Sequence, residues 1–549
     1  MRVTKRKNIG ASLPQVQITS QRRGAGIILV IFSILFLMGT GAARRAQAQT
    51  FTVLHSFSGS DGQFPLADLV RDSAGNLYGT TQSGGASINC LNSDGTTGCG
   101  TVFKLSPSGT LTVLHSFTGH DRRQPSLSDG AIPLAGLVRD SDGNLYGTTQ
   151  YGGGSANCSN DYGTQGCGTV FKLDPSGTLT VLHSFTGSTD DGAIPQGDLV
   201  RDSDGNLYGT TSGGGSSGDG TVFKMDDSGA LIWLHSFTGY DSSDPSASDG
   251  ADPAAGLVRD NSGNLYGTTS KGGANYCGIS GYIPCGTVFE LSPSGALTWL
   301  HSLSDSEGAT PYGDLVMDAS QTTLYGTTSD GGSKVAGTAF KLDTSGGNFG
   351  VLHNFAGGTD DGRNPYAGLV RGSDGTLYGT TNLGGRNSEC SIYGGCGTVF
   401  KLDPSGTLTL LHRFSGNIGQ LYKGRLVMDS YGNLYGTTYL GGTSTNCGSV
   451  GCGTVFVVST TPQGATAVIF YQVNGLLAQG VINKGQDNSL VKELQKAIDM
   501  MNKGKINGAI ANLEDFISEV TDLENSNVLT SDQASALINA ATAVIAQIQ

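Results

Sequence analysis

"FTVLHSFSGS" (51–60) is the tail of a repeating unit, and it stands before any complete copy of that unit. Close copies follow as "LTVLHSFTGH" (111–120), "LTVLHSFTGS" (179–188), "LIWLHSFTGY" (231–240), "LTWLHSLSDS" (297–306), "FGVLHNFAGG" (349–358) and "LTLLHRFSGN" (408–417). A second marker, "LYGTT", recurs seven times, with its tyrosines at Tyr78, Tyr146, Tyr208, Tyr266, Tyr325, Tyr378 and Tyr435 spaced by 68, 62, 58, 59, 53 and 57 residues. Seven units of that size point to a propeller or a solenoid.

Each unit reads as four short strands, such as "GLVRD" (136–140), "LYGTT" (145–149), "GTVFKL" (168–173) and "LTVLHSF" (179–185). They are rich in β-branched and aromatic residues and bounded by Gly, Asp, Asn and Pro. The seventh unit ends at "GTVFVVSTTP" (453–462) with no fourth strand, and the missing strand is the one at 51–57. A ring closed by that strand leaves no unpaired edge, whereas an open solenoid would leave one and would need capping repeats. The fold class is therefore all-β: a seven-bladed β-propeller with four-stranded blades, its N-terminal strand closing the last blade, plus a small C-terminal α-helical domain.

The same topology sorts the loops. "SDGN" (141–144) and "DPSG" (174–177) are tight hairpin turns on one plain face. The long, variable connections between strands two and three, and from blade to blade, share the opposite face, where function is expected.

Residues 1–48 carry eight basic and no acidic residues, then the apolar run "IILVIFSILFLM" (27–38) and "AQA" (46–48). That order predicts a secretory signal peptide cleaved after Ala48, and the apolar run is short for a retained membrane anchor. The domains expected are a signal peptide at 1–48, the propeller at 49–462 and a helical module at 463–549. In that module Leu490, Leu494, Ile498 and Met501 form one stripe, and Ile510, Leu513, Ile517 and Val520 another. "TSDQ" (530–533) opens a third helix as a capping box. Gln472, Asn474 and Gln479 make the segment too polar to span a membrane.

The formal net charge is −13, and removal of residues 1–48 leaves 24 basic against 45 acidic residues, about −21. That balance argues against nucleic acid and anionic membranes, which need basic patches. It suits cations, cationic polymers or neutral glycans.

The ten cysteines fall in pairs within the loops between strands two and three: Cys90/Cys99, Cys158/Cys167, Cys277/Cys285, Cys390/Cys396 and Cys447/Cys452. Pairs that are complete or wholly missing in a given blade of an exported protein predict five local disulfides rather than zinc, which would need four converging ligands. Seven of the eight histidines hold one position in strand four: His55, His115, His183, His235, His301, His353 and His412. Dispersed around the rim, they read as packed, hydrogen-bonded structural residues. Six acids, Asp61, Asp129, Asp191, Asp249, Glu307 and Asp361, each open an acid-Gly-x-x-Pro step in a blade-to-blade loop. These are calcium candidates by their oxygen chemistry, against a simpler turn-forming role. No nucleophile elbow, zinc-protease motif or phosphate loop is present.

The units "LVRDSDGNLYGTT" to "GTVFKLDPSGTLTVLHSF" resemble the GloVer tandem repeats of exported bacterial proteins with a choice of C-terminal anchor, over about 51–458. "VNGLLAQGVINKGQDNSLVKELQKAIDMMNKGKINGAIANLEDFISEV" resembles a FIMAH helical module, an accessory domain of extracellular proteins. The first resemblance implies no assigned catalytic residues. The functional expectation is a secreted, cell-surface or periplasmic monomeric propeller, non-catalytic, binding a glycan or a cell-surface protein through its pinned loops. It would carry no cofactor unless calcium, and would have no membrane-spanning segment in the mature chain. A polysaccharide hydrolase or lyase working through loop carboxylates is the alternative.

Overall fold

The computed structural model describes residues 49–91, 97–119, 128–161, 163–226, 228–239, 248–277, 283–385, 395–415 and 424–549. The expected signal peptide lies outside them. Seven four-stranded antiparallel sheets form the blades of a β-propeller. Blade 2 runs Val138–Arg139, Leu145–Thr149, Thr169–Leu173 and Leu179–Ser184, the order read from the sequence. The first strand of each blade is only two residues long.

Blade 7 is closed as the opening fragment requires. Thr50–Ser56 is the outer strand of a sheet whose other members are Thr454–Ser459, Asn433–Thr438 and Val427–Met428. Its register runs from Thr50 opposite Ser459 to Ser56 opposite Thr454, with a bulge between Val53 and His55. The same bulge interrupts every other pairing of strands three and four. The borrowed strand thus reproduces the local geometry of the six it copies.

Blades pack through the second and third strands, which are almost wholly buried. The glycine of "LYGTT" makes room within its own blade: a Cβ on Gly79 would stand 2.8 Å from both the Phe103 ring and Leu69. The tyrosine beside it joins blade to blade. Tyr78 donates its hydroxyl to Asp72 of its own turn at 3.1 Å, and the Arg139 guanidinium of the next blade lies 5.8 Å from its ring centre. Arg201 over Tyr146, Arg259 over Tyr208, Arg371 over Tyr325 and Arg71 over Tyr435 repeat this contact at 5.5 to 5.9 Å. The tyrosines are packing elements, as their recurrence suggested.

Four helices follow: α1 (Pro462–Ala478), α2 (Lys484–Asn502), α3 (Ile506–Asn525) and α4 (Ser531–Ile548). The capping box at Thr530 and Gln533 is present, and α2 carries another at Asn483 and Gln486. In α3 the buried stripe is Ala509, Leu513, Phe516, Val520 and Leu523, so Ile510 and Ile517 sit at its margin. Helix α1, not assigned from the sequence, escapes a single-stripe reading because it is buried on two sides. Ile469 and Val473 face the other helices, while Val468 and Tyr471 pack on blades 1 and 7 beside Leu77, Leu105 and Tyr435. Tyr471 also shares a 3.0 Å hydrogen bond with the Tyr435 hydroxyl. No helix of the described residues is long and apolar enough to cross a membrane.

Candidate functional site at the channel mouth

The loop acids and the strand-four histidines, read separately from the sequence, belong to one device. His55 Nε2 meets Asp61 at 2.9 Å, His115 meets Asp129 at 2.8 Å, and His235 meets Asp249 at 2.9 Å. His183 with Asp191, His301 with Glu307 and His353 with Asp361 follow at 3.2 to 3.3 Å. Each acid also accepts from the backbone N–H three residues after its histidine, and usually from a Ser or Thr hydroxyl there. Thr118 supplies both to Asp129 at 2.7 Å. Burial pushes the Asp61, Asp191 and Asp249 carboxyls up, but the histidine and these donors outweigh it and hold each below its ordinary value. The structure places these calcium candidates one to a junction, each bound to its own histidine, and brings no two together. The signal in the sequence was the fixed order of His and acid across six copies.

Disulfides join Cys90–Cys99, Cys158–Cys167, Cys277–Cys285 and Cys447–Cys452 within their loops. Of the fifth pair expected, Cys390 lies outside the described residues, so the Cys390–Cys396 bridge itself does too. Cys396 is buried at the foot of its loop and is disulfide-bonded, and no described cysteine is free. The first bridge packs directly under the blade-to-blade loop: a Cβ on Gly119, whose φ is +76°, would stand 2.7 Å from Cys99 Sγ. The long loops are pinned to each other as well as to themselves.

One set of residues was missed. The position just before each blade's first "Leu-Val" reads Asp68, Gly136, Asp198, Gly256, Asp314, Gly368 and Arg425 in blades 1 to 7. For two of the three acids the alternation has a steric cause: Asp198 and Asp314 each reach over the glycine of the preceding blade, whereas Asp68 meets Arg425 of blade 7. Asp198 accepts from Gly136 N–H and Asp314 from Gly256 N–H, both at 2.6 Å. Asp68 accepts from Arg425 N–H at 2.5 Å and from its Nε at 2.9 Å. A Cβ on Gly136 would come within 2.8 Å of Asp198 Oδ2, so a larger residue would expel the acid. Aligning the seven units on "LV" exposes the pattern, which reading each unit alone does not.

The three carboxylates bring oxygens within 4.8 Å of one another at the channel's loop-bearing end. Burial, then the charges of Asp68 and Asp314, raise the Asp198 carboxyl well above its ordinary range. The same three acids outweigh burial to raise the Arg425 guanidinium further. The cavity among them is about 30 Å³, room for a water or one ion. Asp68, Asp198 and Asp314 are the described residues whose oxygens could hold a hard cation such as calcium.

Around this ring lies a second one. The residue before each loop proline has a left-handed backbone: Phe64, Ile132, Ile194, Asp252, Thr310 and Asn364, with φ between 53° and 60°. Such non-glycine conformations are uncommon. Apart from the shared Ile132 and Ile194, their side chains differ from blade to blade while the strands hardly change. Phe64 and Ile132, with Tyr151, Tyr439, Gln82, Gln150, Asn160 and Asp161, line a cleft of about 170 Å³ across blades 7, 1 and 2. Phe64 and Tyr439 meet there with ring centres 4.7 Å apart.

The Gloeobacter/Verrucomicrobia repeat matches residues 38–159, 158–280 and 279–492, and a FIMAH domain matches 467–546. The chain belongs to the Gloeobacter/Verrucomicrobia repeat family. No curated protein matches it. Among solved structures, a gluconolactonase of Xanthomonas campestris is 15% identical with a TM-score of 0.32, covering 53% of this chain and 78% of its own. A protein of unknown function from Dyadobacter fermentans is 11% identical with a TM-score of 0.37, covering 66% and 96%. An ulvan lyase is 10% identical with a TM-score of 0.37, covering 70% and 93%. Likeness of this degree carries no argument about what this member of the repeat family does.

Proposed function

We propose that the protein is a secreted, non-catalytic binding propeller that takes a neutral glycan at its loop-bearing mouth. The cleft of Phe64, Tyr151 and Tyr439 with Gln82, Gln150 and Asn160 carries this reading. Aromatic faces meet the apolar face of a sugar ring, and amides bond its hydroxyls. The cleft suits one residue of a longer chain, being smaller than the roughly 300 Å³ of pockets that enclose a whole ligand. Isothermal titration with neutral polysaccharides should show saturable binding, weakened about tenfold in Tyr439→Ala, a loss of about 1.4 kcal/mol. Absence of binding across such polysaccharides defeats the reading.

One observation favours a hydrolase or lyase: Asp198, its carboxyl pushed well up by burial and by two neighbouring carboxylates, resembles one member of an acid and base pair set apart by environment. Against it, Asp68, Asp198 and Asp314 each cap a neighbouring blade's N–H, and 30 Å³ admits no sugar ring. Oligosaccharide release by the protein, abolished in Asp198→Asn, would reverse the preference.

A further inference from the structure

A cavity of about 810 Å³ opens at the junction of blades 6 and 7. It runs from Arg425 to the turns at Asp374 and Asp429 on the plain face, and is bordered by Thr460 and Thr461 at the start of α1. Two departures from the repeat meet in its wall. Gly372 stands where six blades have Asp72, Asp140, Asp202, Asp260, Asp318 and Asp429, and Met428 stands where five have Arg71, Arg139, Arg201, Arg259 and Arg371.

Their consequence falls on Tyr378, which also lines the cavity. Five of the seven repeat tyrosines donate to the Asp of their own turn, at 2.9 to 3.3 Å. Of the other two, Tyr325 carries Arg371 over its ring. Among the described residues Tyr378 has neither an aspartate acceptor nor a cation over its ring, although Lys401 is its cross-strand neighbour. The break at blades 4 and 5 is milder: Met317 replaces the arginine there too, but Tyr266 still donates to Asp260 at 3.3 Å and stays buried. Loss of both partners distinguishes the junction where the cleft opens.

We propose that this cleft binds the guanidinium group of an arginine-bearing peptide, with Tyr378 as its platform and Asp374 as its anionic partner. The chemistry is the one five other junctions satisfy internally, with a guanidinium 5.5 to 5.9 Å from a tyrosine ring. Asp374 occupies the space of the missing aspartate: a Cβ on Gly372 would lie 2.8 Å from its Oδ1 and 3.5 Å from the Tyr378 ring. Its carboxyl is held below the ordinary range by the Thr376 N–H, and so is charged at neutral pH. The cations that line the cleft are already engaged, Arg371 over Tyr325 and Arg425 with Asp68. A chain of net charge −13 draws a cationic partner toward it. The volume lies within the range of about 300 to 1,000 Å³ usual for ligand sites.

The test is titration of the purified protein with acetyl-Gly-Arg-Gly-amide and with the same peptide carrying citrulline, a neutral isostere. The arginine peptide should bind and the citrulline peptide should bind about tenfold more weakly. Met428→Arg supplies the guanidinium from within. It should abolish peptide binding with no fall in melting temperature, and should leave glycan binding at the mouth intact. Tyr378→Leu should weaken the peptide alone. Equal affinity for both peptides, no saturable binding at millimolar concentration, or unchanged binding in a folded Met428→Arg would each overturn the proposal.

Discussion

Among the described residues, six junctions of the ring are fastened by a histidine and an acid, and the junction from blade 6 to blade 7 is not. His412 keeps its place in strand four, but "GNIGQLYKG" (416–424) supplies no carboxylate after it, and among the described residues His412 Nε2 is buried without a partner. An aromatic contact holds the imidazole there, as Phe349 does at 4.2 Å on His301, which keeps its Glu307 staple as well. Phe51, from the strand that closes the ring, stacks on the His412 imidazole at 3.9 Å with planes 8° apart, and also meets Phe414 and Phe456. The junction that gives up its polar fastening is the one the N-terminal strand crosses to reach, and the one beside which the large cleft opens. Repetition therefore carries the scaffold, and the departures from repetition concentrate at one seam.

The severest way to break that seam is to remove residues 50–56. The last blade loses its outer strand, Phe57 is left at a free end, and the stack on His412 goes with it. The loss should exceed about 5 kcal/mol, comparable to the whole stability of many domains. Cooperative thermal unfolding by circular dichroism should disappear. A sharp transition within a few degrees of the parent would mean that the ring does not depend on its clasp.

Acid should distinguish the odd junction next. Burial lowers the His412 pKa to about 4 from 6.5, so the folded chain holds it neutral while the unfolded chain protonates it. Its contribution is therefore complete above pH 6.5 and is lost as pH falls from 6.5 toward 4, amounting to about 3 kcal/mol. Denaturant unfolding between those limits should show the slope, and His412→Phe should flatten it. An unchanged slope in the variant assigns the effect elsewhere. The stapled junctions respond in a lower window. Carboxyls such as Asp61 and Asp249, held below 3.8, stabilise above that value and release their share only as pH drops through their lowered pKa.

The mildest change is Asp129→Ala, which strands His115, the Thr118 N–H and its hydroxyl at one junction of six. A cost of about 1–3 kcal/mol, read as a lower denaturant midpoint at unchanged slope, is expected. A neutral result would show the staple to be ornamental.

The architecture was legible because propeller closure is written in order: a fourth strand at 51–57 and a seventh unit lacking one allow a single pairing. The local disulfides were legible for the same reason, cysteines being present or missing two at a time. The channel ring was not, because its information lies in a comparison between blades. A glycine at 136 looks like any loop glycine until Asp198 is seen to need the space above it. The histidine–acid staple was half legible: both halves were noticed, but their meeting depends on the path of loops whose lengths differ from 6 residues at His55 to Asp61 to 14 at His115 to Asp129. Helix α1 stayed hidden because a helix buried on two sides has no single apolar stripe.

The pairing of Thr50 with Ser459 also sets an order in time. The first strand of the domain to be synthesised is the last to find its partner, waiting on some four hundred residues before its edge is covered. For that interval Phe51, Val53, Leu54 and Phe57 present a β-forming, apolar and unpaired segment, the kind that joins other chains when it can. A chain built this way needs its leading end kept apart from its neighbours until blade 7 is made. The short reach of that strand, seven residues with a bulge in the middle, keeps the exposure small.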